Sequence, residues 1–199
     1  MSMFPETIET DRLRLRRLGP GTVDPLALYE HASRDAPHIE EITRYLSWGP
    51  HASPKETHEF LCDARQAWDE RESAQFVVRP RGGEDGAGEI AGCAALVPDW
   101  DRRLATLGVW FRKRFWGRGY SGERAAALLE LAFEDLDLDV VAVTHHVEND
   151  NSRRAIERYV ERFGGHREGT IRNGHRYEEP VDVVRYSISQ AEYRDAVAE

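Results

Sequence analysis

Sulfur and lysine are both scarce in this chain. Of its 199 residues only two are cysteine, Cys62 and Cys93, which lie far apart and outside any metal-type spacing. That argues against a disulfide or zinc framework and fits a reducing cytoplasm. No apolar run approaches the roughly 20 residues of a membrane span. The polar opening MSMFPETIETD has no stretch like the apolar region of a secretory signal. The expectation is a cytoplasmic chain with no membrane partner. Lysine supplies two of the 27 basic residues, Lys55 and Lys113, and arginine the rest. The net charge of −9 argues against general nucleic-acid binding. An acid-rich, lysine-poor composition fits either adaptation to high salt or codon bias toward Arg and Ala, and composition leaves both open.

What is present is enough for a core. Forty percent of the residues are apolar, five of them Trp, and the length suits one domain over 1–199, without repeats or a long linker. ETDRLRLRRL (9–18) alternates Leu13, Leu15 and Leu18 with charge, as a half-buried strand does. Asp24 can cap a helix starting at Pro25. Ser53, Pro54 and Glu56 signal a second helix start, with Phe60, Leu61, Ala64 and Trp68 at helical spacing toward Arg71. Gln75–Arg79 and Glu89–Val97 read as strands around the Gly-rich RPRGGEDGAG, and Ala105–Phe111 as another. A long helix over Gly119–Leu136, a strand over Asp139–Val147 and a helix over Ser152–Phe163 follow. Strands near His166–Arg172 and Val181–Ile188 and a capping box from Ser189 to Glu192 close the chain. The sum is a mixed α/β layout.

The most informative segment is GVWFRKRFWGRGYSGERAAALLE (108–130), a strand, a turn with Gly117 and Gly119, and a helix. Glycines let the backbone approach a ligand and take positive φ. The new helix presents unpaired N–H groups and a partial positive charge, a place for a pyrophosphate. Arg112, Lys113, Arg114 and Arg118 place cations there, against the acidic trend of the chain. Residues 117–122 also spell a dinucleotide-type G-x-G-x-x-G, but five residues separate its first glycine from the strand. Too few strand–helix units follow for a doubly wound sheet, so NAD binding is not expected.

Read as Arg114-x-x-Gly117-x-Gly119, this turn resembles motif A of the GNAT superfamily of acyl-CoA-dependent N-acetyltransferases. The likeness extends along nearly the whole chain, toward the RimJ/RimL-like branch that acetylates protein N-termini. ETDRLRLRRL resembles the branch's opening strand, and RYLSWGPHASPKETHEFL its segment before the second helix. WGRGYSGERA is similar to WGxGYxxEA, and Asn149 and Ser152 in ENDNS fit Asn-x-x-Ser. EGTIRNG and DVVRYSIS look like its closing strands. The resemblance implies an α/β fold with a mixed, mostly antiparallel central sheet and flanking helices, and acetyl-CoA as co-substrate. It implies that the backbone of Val109, Trp110 and Phe111 pairs with the pantetheine arm. Arg112 and Arg114 would flank the cofactor, and N–H groups from Phe115 through Trp116, Gly117, Arg118 and Gly119 to Tyr120 would cradle the pyrophosphate. Asn149 would hold the cofactor near its thioester, with Ser152 beside the sulfur. One departure concerns the helix after Ser152, which runs about a turn longer than the family's and ends in Gly164–Gly165–His166 rather than Gly-Phe.

The chemistry then needs a base for the ammonium, a donor for the oxyanion and a proton for the thiolate. A backbone N–H near Val109–Phe111 can serve the oxyanion, and the Ser152 hydroxyl the sulfur, although Ser152 also stands where an N-cap would. Tyr159, two turns on, is a weaker acid candidate. Alternation puts Val141, Val143, His145 and Val147 on one face of their strand and Thr144, His146 and Glu148 on the other. His145 is therefore expected in the core, and Glu148 or His146 as a proton relay. The His pair has no further ligands at useful spacing, so no metal is expected. The expected partners are acetyl-CoA and an amine, a protein N-terminus first. A polyamine, amino acid or antibiotic is the alternative acceptor, and a non-catalytic acyl-CoA-binding module the rival from another class. The chain is expected to be a monomer or a homodimer.

Overall fold

A computed structural model describes residues 3–176 and 179–198; Met1 and Ser2, which open the polar N-terminal stretch, lie outside them. The chain forms two compact units, Met1–Ala95 with Val109–Tyr120, and Leu96–Gly108 with Ser121–Glu199. No helix among the described residues is long and apolar enough to cross a membrane.

The first unit contains β1 (Thr7–Glu9), β2 (Leu13–Arg17), α1 (Pro25–Ala32), α2 (Ile39–Thr43), α3 (Pro54–Asp69) and β3 (Ala74–Pro80). It also takes the start of β4 (Gly92–Asp99) and the end of β5 (Leu104–Phe111), and its strands lie in the order β1-β2-β3-β4-β5. β1/β2 and β2/β3 are antiparallel. The strand expected over 9–18 narrows to β2, and a short β1 ends at Glu9 before it. Thr10 breaks the run, its N–H donating to the Leu13 carbonyl at 2.9 Å while its Oγ1 accepts from Leu13 N–H at 3.0 Å. Only β2 carries the alternation, with Leu13 and Leu15 fully buried. β1 is a short polar edge and leaves no periodic trace.

Asp24 caps α1 by accepting from Leu26 N–H at 3.0 Å, with Pro25 at the first helical position where its missing N–H costs nothing. At α3 the expected box forms only in part. Glu56 reaches back to accept from Ala52 N–H at 2.6 Å, and the Ser53 hydroxyl makes no cap bond. The core of this unit gathers Leu18, Val23, Leu28, Leu61, Ala64, Val77, Ile90 and Cys93 beneath Phe60 and Trp110. Burial pushes the Cys93 thiol up to about 12, so it packs as an inert apolar group.

The second unit contains α4 (Tyr120–Glu130, Tyr120 itself belonging to the first unit), which passes into a π-helical turn over Leu131–Asp135. β6 (Val140–His146), α5 (Asp150–Arg162), β7 (His166–Arg176), β8 (Pro180–Ser189) and α6 (Gln190–Ala198) follow. The strand order here is β5-β6-β8-β7, with β5/β6 parallel and the other two pairs antiparallel. A mostly antiparallel sheet flanked by helices is the expected mixed α/β class. Leu128, Leu129, Ala132 and Phe133 are buried as their spacing predicts. The capping box at Ser189 closes fully: Ser189 N–H donates to Glu192 Oε2 at 2.7 Å, and Glu192 N–H to Ser189 Oγ at 3.3 Å. The β5–β6 ladder runs from Leu104 opposite Val140 to Leu107 opposite Val143. Val109–Phe111 continue β5 beyond it.

Two histidines are buried, His51 in the first unit and His145 in the second, and His31 in the first unit is half-buried. Burial is the largest cause lowering each pKa below 6.5. The unfolded chain therefore takes up protons that the folded chain refuses. Stability should be full above the unfolded value of 6.5, fall as pH drops through it, and level off below the folded values. Thermal unfolding between about pH 8 and pH 5.5 tests this, with His145→Gln expected to give a shallower slope; a melting temperature indifferent to pH would contradict it.

Candidate active site

In the first unit the chain leaves β5 through a 3-10 turn, Lys113–Phe115, and reaches the first residue of α4 through two glycines. Gly117 and Gly119 have φ of 76° and 80°, where an L side chain is strained, so the turn requires glycine at both places. The turn closes with Phe115 N–H to the Arg112 carbonyl at 2.9 Å and Trp116 N–H to the Lys113 carbonyl at 3.0 Å. Trp116 Nε1 donates to the Phe111 carbonyl at 2.8 Å, tying the turn back to the strand. Arg12 braces the far side, donating to the Arg118 carbonyl at 2.9 Å with its guanidinium carbon 5.2 Å from the Tyr120 ring. The N–H groups opening a helix have no partner within it and face outward as anion donors.

The cations of the turn are not loose. Phe115 is buried, and the guanidinium carbons of Arg112, Arg114 and Arg118 lie 5.5, 5.1 and 5.2 Å from its ring. Carboxylates from the Gly-rich loop after β3 hold this fan in place. Glu89 accepts from Arg112 at 3.1 Å and from Arg114 at 2.8 Å; Asp85 accepts from Arg118 at 2.7 Å and pairs with Arg114 at 3.3 Å. Tyr120 donates its hydroxyl to Glu84 at 2.5 Å, and Lys113 pairs with Glu41 at 2.5 Å. Hydrogen bonds from Arg118 and Arg114 hold Asp85 below the usual carboxylate range, and Asp85 raises Arg118 in return. Burial first, then Glu84, raises Tyr120. Loop and turn touch closely: a Cβ on Gly86 (φ 79°) would stand 2.9 Å from Phe115. Sequence reading passed over Glu84, Asp85 and Glu89. The signal was there in the opposed charges of GGEDGAGE and RKRFWGR.

In the second unit β6 hands over to α5 through Val147 and Glu148. Asn149 is the N-cap, its side-chain oxygen accepting from Ser152 N–H at 3.0 Å and its N–H donating to the His146 carbonyl at 2.8 Å. This corrects the cap position expected at Ser152. An amide oxygen three residues ahead already serves that N–H, so Ser152 sits within the first turn, half-buried. Glu148 is exposed, and its N–H donates to His146 Nδ1 at 3.1 Å. His145 is buried beside Val141 and Val143, Nδ1 on the His146 carbonyl at 2.7 Å and ring stacked on Tyr186, as its strand face predicts. Tyr159 is buried too, and Glu123 lies in the first turn of α4. Among the sequence candidates, the structure groups Val109–Tyr120 in the first unit and Glu148, Asn149 and Ser152 in the second.

Comparison with known proteins places this geometry. A family model described as acetyltransferase (GNAT) domain matches residues 12–159. A Bacillus subtilis protein, YdaF, provisionally named a ribosomal N-acetyltransferase, is 35% identical over 109 residues. That match covers 53% of this chain and 57% of YdaF, so the chain spans little more than half of this relative. A Vibrio cholerae structure provisionally titled a ribosomal-protein-serine acetyltransferase is 25% identical with a TM-score of 0.74, covering 95% of this chain and 99% of its own. The V. cholerae spermidine N-acetyltransferase bound to CoA and spermine shares the fold at 20% identity and a TM-score of 0.71, covering 93% of this chain and 99% of its own.

The strand feeding the turn has its own constraint. A Cβ on Gly92 of β4 would lie 2.0 Å from the Trp110 carbonyl oxygen and 2.8 Å from Phe111 Cα, both backbone atoms. Gly92→Ala must therefore push β4 from β5 where Val109–Phe111 begin the site. A loss of about 3 kcal/mol in urea unfolding is expected; a variant as stable as the parent would show that the strands separate freely.

Proposed function

Since this chain belongs to the GNAT acetyltransferase family, we propose that it moves the acetyl group of acetyl-CoA to a primary amine, a protein N-terminal amine first among acceptors, with residues 1–199 acting as one N-acetyltransferase domain. The observation that carries the reading is the passage from β5 through two positive-φ glycines into α4, inside the matched residues 12–159. Val109, Trp110 and Phe111 lie beyond the end of the β5–β6 ladder and would pair through their backbone with the pantetheine arm. The N–H groups from Phe115 to Tyr120 would take the pyrophosphate, and Asn149 would stand near the thioester. Arg112, Arg114 and Arg118, already paired with Glu89 and Asp85, would hold the turn's shape and its positive potential together.

The amine attacks the thioester carbonyl as the free base. The C–S bond breaks as the tetrahedral intermediate collapses, and the thiolate takes a proton. Ser152 suits that last task. Its N–H is spent on Asn149, its hydroxyl stands in the first turn of α5, and the positive end of the helix dipole favours a thiolate there. For the base, the bond from Glu148 N–H to His146 Nδ1 at 3.1 Å holds the two candidates side by side. Glu148, exposed at the end of this turn, is the base of choice, directly or through water, with His146 the alternative. The net charge of −9 draws cationic acceptors, a basic protein N-terminus or a polyamine alike. Likeness to YdaF and to the V. cholerae ribosomal-protein-serine acetyltransferase favours the first.

Calorimetric titration with acetyl-CoA and an acceptor screen of N-terminal peptides against spermidine test this. Affinity in the micromolar range and turnover with a peptide N-terminus are expected, and Ser152→Ala should lower kcat by about 10²-fold with cofactor affinity nearly unchanged. Tight acetyl-CoA binding without turnover on any amine would make the chain a binding module; no binding in folded protein would remove the reading altogether.

A further inference from the structure

Arg124 is the largest fully buried side chain among the described residues, 1% exposed, one turn into α4. Its Nε and Nη1 find no hydrogen-bond partner among the described residues, and neither does the hydroxyl of the facing Tyr159 on α5. The guanidinium carbon lies 6.0 Å from the centre of the Tyr159 ring, at the outer limit of a cation–π contact. Burial lowers the pKa of Arg124, and the facing Tyr159 hydroxyl opposes this. A guanidinium nevertheless stays protonated in proteins. A buried cation without an anion is costly, and a helix near its N-terminus makes it more so, because the dipole there is also positive. Side chains on a helix lean toward its N-terminus, so Arg124 adds its charge to the end of α4 where the unpaired N–H groups stand. Gly122 lies in the same turn of α4, facing Tyr159, where a Cβ would be in ordinary contact at 3.9 Å.

We propose that Arg124 is a positioning residue for the cofactor, its buried charge holding the pyrophosphate at the N-terminus of α4 without touching it. The inference rests on the acetyl-CoA reading above. An anion at that helix end supplies the counter-charge that the folded protein otherwise lacks, and low polarity around Arg124 carries its field farther than an exposed arginine's. Tyr159 fills the space beside the guanidinium and shields it from water.

The test is Arg124→Met, which keeps bulk and removes charge, read with three acetyl donors. With acetyl-CoA, kcat/KM should fall about tenfold, and with acetyl-dephospho-CoA, which keeps the pyrophosphate, by the same factor. With acetyl-pantetheine, which carries no phosphate, it should not change. The apo variant should melt no lower than the parent, since an apolar group replaces an unpaired buried ion. Equal loss on all three donors, or no loss on acetyl-CoA, would overturn the proposal while leaving the acetyltransferase reading intact. Failure of the parent to bind acetyl-CoA would end both. Should the Met variant not fold, Arg124→Lys decides. A buried amine titrates, so its acetyl-CoA affinity relative to the parent should rise as pH is lowered from about 9 to 6. A flat ratio would overturn the proposal.

Discussion

The turn between β5 and α4 depends on one arrangement: three guanidinium groups spread around the buried Phe115 ring and fixed by Asp85 and Glu89. Neither set of charges is stable in this place alone. Three arginines within five residues of Phe115 repel one another, and two carboxylates on a Gly-rich loop have no reason to order it. Together they cancel, and Phe115 supplies the apolar centre that keeps the fan in register. Each exposed pair is worth little. The network matters through geometry, because it decides where the backbone of Gly117–Tyr120 points its N–H groups.

Arginine, rather than lysine, is what makes the fan possible. A planar guanidinium can stack on Phe115 and still reach two carboxylates, as Arg114 does with Glu89 and Asp85; a point ammonium on a flexible stem cannot do both. The same fork appears in the second unit, where Arg103 joins Asp137 and Asp139 across the start of β6. So whatever set the composition of the chain, at these positions the choice of arginine has a local structural reason. The one lysine of the turn, Lys113, makes a single pair with Glu41 and stands apart from the fan.

Much of the fold could be read from the sequence where one physical signal had no competitor. Leucines alternating through β2, Asp24 before Pro25, and Ser189 with Glu192 each specify one local outcome, and each appears. The misses fall where two signals compete or none exists. β1 is too short and polar to leave a period, and α2 is a five-residue helix entered through His38 at a φ of 61°. The cap of α5 was expected at Ser152, because serine is a common cap; the structure gives it to Asn149, three residues earlier. The glycines of the turn were legible because positive φ restricts the choice of residue. The acidic loop that braces them left only opposed charges as a signal, and pairing between residues 84–89 and 112–120 is too long-range for that signal to fix partners.

Arg124 shows the limit from the other side. By local rules it is an ordinary helix residue, and nothing in its neighbours predicts burial. Tertiary packing with Tyr159 facing it encloses the side chain, and enclosure turns an unremarkable cation into an unbalanced one. Folded proteins tolerate such imbalance when something outside the chain completes it. At the other anion-facing elements here, the chain completes its own charges: Asp85 and Glu89 serve the fan, and Glu41 serves Lys113. The α4–α5 pair is where it does not. An unfilled electrostatic requirement one turn behind a glycine-bounded helix start is met by a ligand that carries the missing charge, since one anion at the unpaired N–H groups answers the buried cation and the positive helix end together.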